Sequence, residues 1–236
     1  MTTDQQLSGT EECRRCGTCC RQGGPALHRE DLPLLREGHF SRRHLVTIRS
    51  GEPAYDPLTG KIKPVEQEIL KISGGSSTWS CRFYGDSRGC TIYQHRPLEC
   101  RLLKCWDTRE LKEMIGRNTL TRRDLLDPSD PVLGLLSAQD KQCDYQRIIT
   151  LVKRLENQSG ETDPLKELTG IVRADLTIRG QAQKEFSISL ARELFLFGRP
   201  VFKVLAAHGF RVSEAGQEIF LHPPGGKNQE SKITDS

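Results

Sequence analysis

The chain has 236 residues, with 35 Lys and Arg against 31 Asp and Glu, a formal net charge of +4, and a pI of about 8.6. This mixed, weakly basic charge argues against a nucleic-acid partner, which calls for a pI above about 9 and a basic face. With 35% hydrophobic residues, a mean hydropathy of −0.55 and no run near the roughly 20 apolar residues of a membrane span, no membrane role is expected.

Residues 1–12 are polar and are expected to form a disordered lead-in. They lack the basic and apolar regions of a secretory signal, which predicts a cytoplasmic protein. The nine cysteines are read in that light, because clustered cysteines in a reducing compartment bind metal or do redox chemistry more often than they form disulfides. Four of them, Cys13, Cys16, Cys19 and Cys20, fall in a Gly-containing loop. Four more follow after a gap: Cys81, Cys90, Cys100 and Cys105. Cys143 stands apart and reads as a small buried hydrophobe.

Between the two clusters, residues 25–38 predict a short helix, with Glu30 and Asp31 at its start, Pro33 in its first turn and Gly38 as its stop. Residues 45–48 and 65–72 predict the two strands of a hairpin, joined by a Pro/Gly-rich connection over 50–63. Residues 73–77 form a Gly-rich connector that matches no phosphate-binding loop. In the second cluster, residues 81–84 and 90–93 predict two short strands around a turn at 85–89. Pro97 then suits the first turn of a helix running through Cys100 and Cys105.

The remainder reads as mainly helical. Short helices are expected at 107–117 and 121–126, and longer ones at about 138–158 and from Thr162 through Leu176. Phe186, Leu190, Leu194 and Phe197 mark another, and Pro200 opens a last one that ends at Gly209. A small hairpin is expected over 210–221, and residues 223–236 form a polar, disordered tail. The fold class is α+β: a small, irregular cysteine-rich metal-binding domain with short strands over 13–106, then a mainly helical region with a terminal hairpin over 107–222.

Thiolates bind zinc and iron–sulfur clusters above all. C-x2-C places two sulfurs across a tight turn, and the chain reads C-x2-C-x2-C-C, then C-x8-C-x9-C-x4-C. Eight sulfurs can hold two zinc ions, one or two [4Fe–4S] clusters, or one metal with thiols left over. The C-x2-C-x2-C opening is also that of the bacterial ferredoxin run, but the later Cys-Pro is missing. In an extended chain neighbouring side chains point apart, so Cys19 and Cys20 are expected to serve different ions or different irons, or one of them to stand behind the ligands or act as a redox thiol. Arg14, Arg15, Arg82, Arg96, Arg101 and Lys104 flank the cysteines, where positive charge favours thiolates. His95 reads as a surface or capping residue, and the other histidines have no ligand spacing. Hydrolase and kinase signatures are missing.

Cys13-x2-Cys16-Gly17-x-Cys19-Cys20, followed by Cys90-Thr91-Ile92-Tyr93-x2-Arg96-Pro97-x2-Cys100-Arg101, resembles the YkgJ-like cysteine-cluster family, which carries a CxxCxxCC signature and is described as a zinc- or iron-chelating domain. The resemblance covers residues 13–106. It implies metal binding by Cys13, Cys16, Cys19, Cys20, Cys81, Cys90, Cys100 and Cys105, with Tyr93, Arg96 and Arg101 supporting the bound group. Cys81-Arg82-Phe83-Tyr84 stands where the family has an apolar C-x-F-L, a departure that leaves the cysteine in place. A flagellin lysine methylase that pairs an iron–sulfur cluster with S-adenosylmethionine shares the signature. That keeps an enzyme open, although no S-adenosylmethionine fingerprint is recognisable here.

The expectation is therefore a cytoplasmic protein whose zinc or iron, alone or in a [4Fe–4S] cluster, folds its N-terminal half. Its partner would be another protein or a small substrate. The alternative is an iron–sulfur enzyme of methyltransferase or redox type. It predicts an open pocket between the cysteines and the helices, lined by Tyr93, Arg96 or Trp106.

Overall fold

The computed structural model describes residues 13, 15–75, 79–157, 162–216 and 218–224. The expected lead-in (1–12), most of the expected tail (225–236) and part of the 73–77 connector lie outside the described residues. The architecture is α+β, with short antiparallel strands in the N-terminal half and helices dominating thereafter. Among the described residues, no helix is long and apolar enough to cross a membrane.

The first cysteine cluster is not all loop: α1 (Thr18–Arg21) is one helical turn. A 3-10 turn (Arg29–Asp31) leads into α2 (Leu32–Arg36). Gly38, at φ 78°, ends α2 in a Schellman motif, with His39 N donating to Leu34 O (3.0 Å) and Gly38 N to Leu35 O (3.3 Å); the left-handed conformation required there is what glycine supplies.

β1 (Leu45–Ile48) pairs antiparallel with β4 (Ile69–Ile72), Leu45 opposite Ile72 and Ile48 opposite Ile69. All four β1 residues, Thr47 included, are buried, so burial is continuous rather than alternating, as expected of a strand covered on both faces. The connection is more ordered than expected. It folds into its own hairpin, β2 (Pro53–Asp56) on β3 (Lys61–Pro64). The Asp56 carboxylate organises the turn by accepting from Leu58 N (3.0 Å) and Thr59 Oγ1 (2.6 Å).

The second cluster is built from two minimal strands, β5 (Tyr84–Gly85) and β6 (Gly89–Cys90), then a 3-10 turn (Tyr93–His95) and α3 (Leu98–Leu102). The helix stops short of Cys105, which lies beyond it in a turn closed by a bridge between Lys104 and Asp107. α4 (Arg109–Met114) and a 3-10 turn (Arg122–Leu125) lead to the helical region.

There α5 (Val132–Gln142) and α6 (Tyr145–Asn157) replace the single helix expected at 138–158. Asp144 divides them by capping α6, its carboxylate accepting from Gln146 N (3.3 Å) and Arg147 N (3.2 Å). α7 (Thr162–Phe186) extends through Phe186, which was expected in the following helix. The break falls at Ser187, with φ 49°, and Ser189 then caps α8 (Leu190–Phe197), accepting from Arg192 N. α9 (Val201–Ala206) and the hairpin β7 (Arg211–Ala215)–β8 (Glu218–His222) complete the chain.

Two apolar cores hold these elements. One gathers α6, α7, α9 and the terminal hairpin, including buried Cys143. The other mixes both halves of the chain, packing Leu27, Leu45, Leu70, Ile72 and Cys81 against Leu136, Ile178 and Phe195 to Phe197. Three backbone bonds close a ring within it: Leu27 N to Leu70 O (2.8 Å), Leu70 N to Leu120 O (2.9 Å) and Leu120 N to Leu27 O (2.8 Å). α8 lies directly on β1, where Thr47 Oγ1 donates to Phe195 O at 2.5 Å.

Candidate metal centre

The two cysteine segments are pinned together by the main chain. Cys81 N donates to Cys20 O at 2.7 Å. Arg21 adds a second tie, reaching Asp86 Oδ1 at 2.8 Å and Cys16 O at 3.1 Å while its guanidinium lies 5.0 Å from the centre of the Tyr84 ring. Within the second segment, Tyr84 N donates to Cys81 O (2.9 Å), and Tyr84 pairs with Cys90 across β5–β6.

All eight clustered cysteines line one cavity of about 1220 Å³. Cys81 is buried, Cys13, Cys19, Cys20, Cys90 and Cys100 are half-buried, and Cys16 and Cys105 are exposed. Cys19 and Cys20 stand on the same helical turn with their sulfurs 4.0 Å apart. This differs from the divergence expected of an extended chain, because side chains of consecutive residues in a helix are separated by only about 100°. Among the described residues, no three His, Cys, Asp or Glu side chains close on a common point as they stand.

The chemistry of the donor set fits a cation. Burial, then the adjacent Cys19, pushes the Cys20 thiol up to about 12. Burial, then Cys81, Cys19 and Cys20, raises Cys100 well above the ordinary thiol range, and Cys81 and Cys105 are raised by burial and neighbouring cysteines. Exposed Cys16 goes the other way, its thiolate favoured by the Thr18 hydroxyl at 3.3 Å. Such crowding penalises thiolates only until a metal cation supplies the opposing charge, which reverses the local logic.

The flanking residues take distinct places. Tyr93 is sandwiched between two guanidinium groups, those of Arg15 at 3.8 Å and Arg96 at 3.7 Å from its ring centre, and Tyr93 and Arg96 both line the cavity. Arg101 does not line it; it extends toward the buried carboxylate of Asp31, 3.9 Å away. Arg82 is used by the scaffold, donating to Arg43 O (3.0 Å) and Ser73 Oγ (2.9 Å). Arg14 lies outside the described residues. His95 is exposed and stacks on His39 at 3.4 Å.

Two charged residues that the spacing did not single out also line the cavity. Glu99 accepts from Ala26 N (2.7 Å) and faces His28 Nε2 at 3.4 Å. Lys71 has its ammonium pushed down by burial, against the pull of Glu99 and Cys100. Their neighbours come from remote parts of the chain, so no local pattern marks them. Much of the remaining lining is apolar and aromatic, with Val46, Ile48 and Ile62, the exposed rings of Trp79 and Trp106, and Val204 of α9. Arg199 ties the helical side to this wall, donating to Glu52 Oε1 (2.5 Å) and Pro53 O (2.7 Å) beside Trp79.

Residues 12–118, somewhat under half the chain, match the family model CxxCxxCC, described as "Putative zinc- or iron-chelating domain". The resemblance drawn from the cysteine pattern holds over that stretch, which runs on past Trp106 to take in α4. No curated protein and no solved structure matches the chain.

Proposed function

We propose that this CxxCxxCC segment chelates zinc or iron through Cys13, Cys16, Cys19, Cys20, Cys81, Cys90, Cys100 and Cys105, and that the bound group locks the two cysteine segments together. The observation that carries the reading is the convergence of all eight thiols on one cavity from segments remote in sequence. Chelation of this kind adds folding free energy directly, about 10 kcal/mol or more for structural zinc. It also needs reduced thiols, which agrees with a cytoplasmic setting. Tyr93 and Arg96 supply fixed positive and aromatic surface beside the sulfurs, and Arg101 steadies α3 from Asp31.

The test is purification without oxygen, an absorption spectrum, and assays of zinc, iron and sulfide. Iron and sulfide in similar amounts, with a brown colour, support a cluster such as [4Fe–4S]; a colourless zinc-loaded protein supports zinc. Protein isolated free of both, yet stably folded, rejects chelation.

A second reading keeps the metal and gives it a substrate, a protein or a small molecule. The observation favouring it is the cavity itself, which extends from the thiols past Tyr93, Arg96 and Trp106 to α9. At about 1220 Å³ it exceeds the roughly 300–1,000 Å³ of ordinary ligand sites. A metal there supplies Lewis-acid or electron-transfer chemistry, and the apolar walls exclude water from what binds. Titration of the metal-loaded protein with candidate ligands, read by Trp79 and Trp106 fluorescence, separates the readings: no response to any ligand leaves the structural role alone.

A further inference from the structure

We infer that the eight cysteines divide into two four-thiolate centres: an inner one of Cys20, Cys81, Cys90 and Cys100, and an outer one of Cys13, Cys16, Cys19 and Cys105. The inference rests on the metal-binding reading and deepens it, fixing how many centres there are and which thiols each takes.

The inner set is fixed by the scaffold. Cys20 and Cys81 are joined by a backbone bond of 2.7 Å, Cys90 is held beside them by its pairing with Tyr84, and Cys100 projects from α3. Buried Cys81 also belongs to the main apolar core, and Cys20 packs against it. The outer set holds both exposed thiols, Cys16 and Cys105, together with half-buried Cys13 and Cys19.

The electrostatic neighbours divide the same way except at Cys19, which acts on Cys20, Cys81 and Cys100 of the inner set as well as on Cys105 of the outer one. Cys20 feels Cys19, Cys81 and Cys90, and Cys100 feels Cys81, Cys19 and Cys20. Cys105 feels Cys19, Cys13 and Cys16. Cys19 therefore stands between the two groups. At 4.0 Å from the Cys20 sulfur, it places the two centres side by side. Each centre draws on both segments, so neither forms until the intervening chain has folded. The sulfurs must turn about χ1 to close on a metal, which is simplest for side chains on a loop and in a turn, as Cys13, Cys16 and Cys105 are.

The two centres differ in what reaches them. All eight thiols line the cavity, but the inner set is backed by core residues, while the outer set holds the two exposed thiols. A competing chelator therefore strips the outer metal first.

The test compares the anaerobically purified full chain with its double variant Cys16→Ser/Cys105→Ser. Exposed positions are chosen so that no packing is lost. Metal per chain, zinc or iron, is expected to halve in the variant, with its circular dichroism spectrum retained. Transfer of metal to a chelating dye is expected in two phases from the wild type, with the fast phase missing from the variant. After reconstitution of metal-free wild type with zinc alone, two zinc ions per chain are expected. One zinc per wild-type chain, or a variant that keeps all its metal or loses all of it, overturns the division while chelation stands. Wild type that takes up neither zinc nor iron overturns both.

Discussion

Gly17 and Tyr84 are packed so closely that a methyl group on Gly17 would lie 2.1 Å from the Tyr84 hydroxyl oxygen. The glycine stands between Cys16 and the helical turn that carries Cys19 and Cys20, at φ 80°, in the left-handed region that costs other residues roughly 1–2 kcal/mol. Tyr84 in turn pairs with Cys90. Gly17→Ala is thus expected to pry the two segments apart and to lower the metal held per chain, measured by elemental analysis after gel filtration. Tyr84→Phe should not rescue it, since ring carbons lie equally close, at 2.2 and 2.4 Å. A Gly17→Ala protein with full metal content would break the link between this contact and the site.

Leu136 of α5 sits in the same apolar core as Leu27, Leu70 and Cys81, and is fully buried. Truncating a leucine in such a place costs about 2–5 kcal/mol. Because that core spans both halves of the chain and includes Cys81, the loss is expected to reach the cysteine site. Leu136→Ala should lower the thermal midpoint and speed zinc or iron release to a chelator together. Two separated unfolding transitions, with metal release following only one of them, would mean that the halves are energetically independent.

Among the described residues, Arg122 is the largest fully buried side chain. Its guanidinium donates to Leu196 O at 2.6 Å, pairs with Asp140, and lies 3.1 Å from Glu68. It so joins the approach to β4 with α5 and the end of α8. Removing one partner of a buried pair typically costs about 3–5 kcal/mol; Glu68 and Asp140 are 17% and 41% exposed, which places Arg122→Ala near the lower figure or below it. Glu68, already raised by burial and held back by Arg122, would rise further. Denaturant titration checks the loss. Arg122→Met should recover part of it by restoring volume without charge.

Residue patterns in the sequence reveal unequal amounts of this structure. The cysteine spacing pointed to the site because its signal is chemical and local, and the same holds for the Pro200 and Thr162 helix starts. The helical turn at Cys19 and Cys20 was hidden, since four residues carry no periodicity and glycine at the N-cap suggests a loop. The boundary between α5 and α6 was masked by continuous apolar spacing, which the cap at Asp144 overrides. The β2–β3 hairpin reads as a Pro/Gly connection because Pro53 and Pro64 stand at strand ends, where pairing survives them, and Pro57 lies in the turn between them. Glu99 and Lys71 gain their setting from contacts remote in the chain, and His28 does so too beyond its local capping box with Asp31. The ring of Leu27, Leu70 and Leu120 is likewise a tertiary fact with no local trace.

His28 is fully buried, with Nδ1 at 2.7 Å from Arg117 O and Nε2 at 3.4 Å from Glu99 Oε1. Burial works against the imidazolium, but the Glu99 carboxylate, the Arg117 carbonyl and Asp31 outweigh it and hold the pKa above its ordinary value. A group bound more tightly to its proton in the folded state stabilises most at low pH. The contribution is therefore fully present below about 6.5, the unfolded value, and is lost as pH rises through the folded one. The expected result is a stability difference between wild type and His28→Gln that shrinks as pH rises from the acid side of that window to the alkaline side, measured by denaturant midpoints of the metal-loaded proteins. Lost packing contributes a constant offset to that difference. His44, which burial shifts the opposite way, is present in both proteins and cancels. Parallel curves would mean that His28 stays neutral in the folded protein and that its contact with Glu99 is a neutral hydrogen bond. In that case the ion pair contributes nothing to fixing Glu99, and with it α3 and Cys100, against the chain at Ala26.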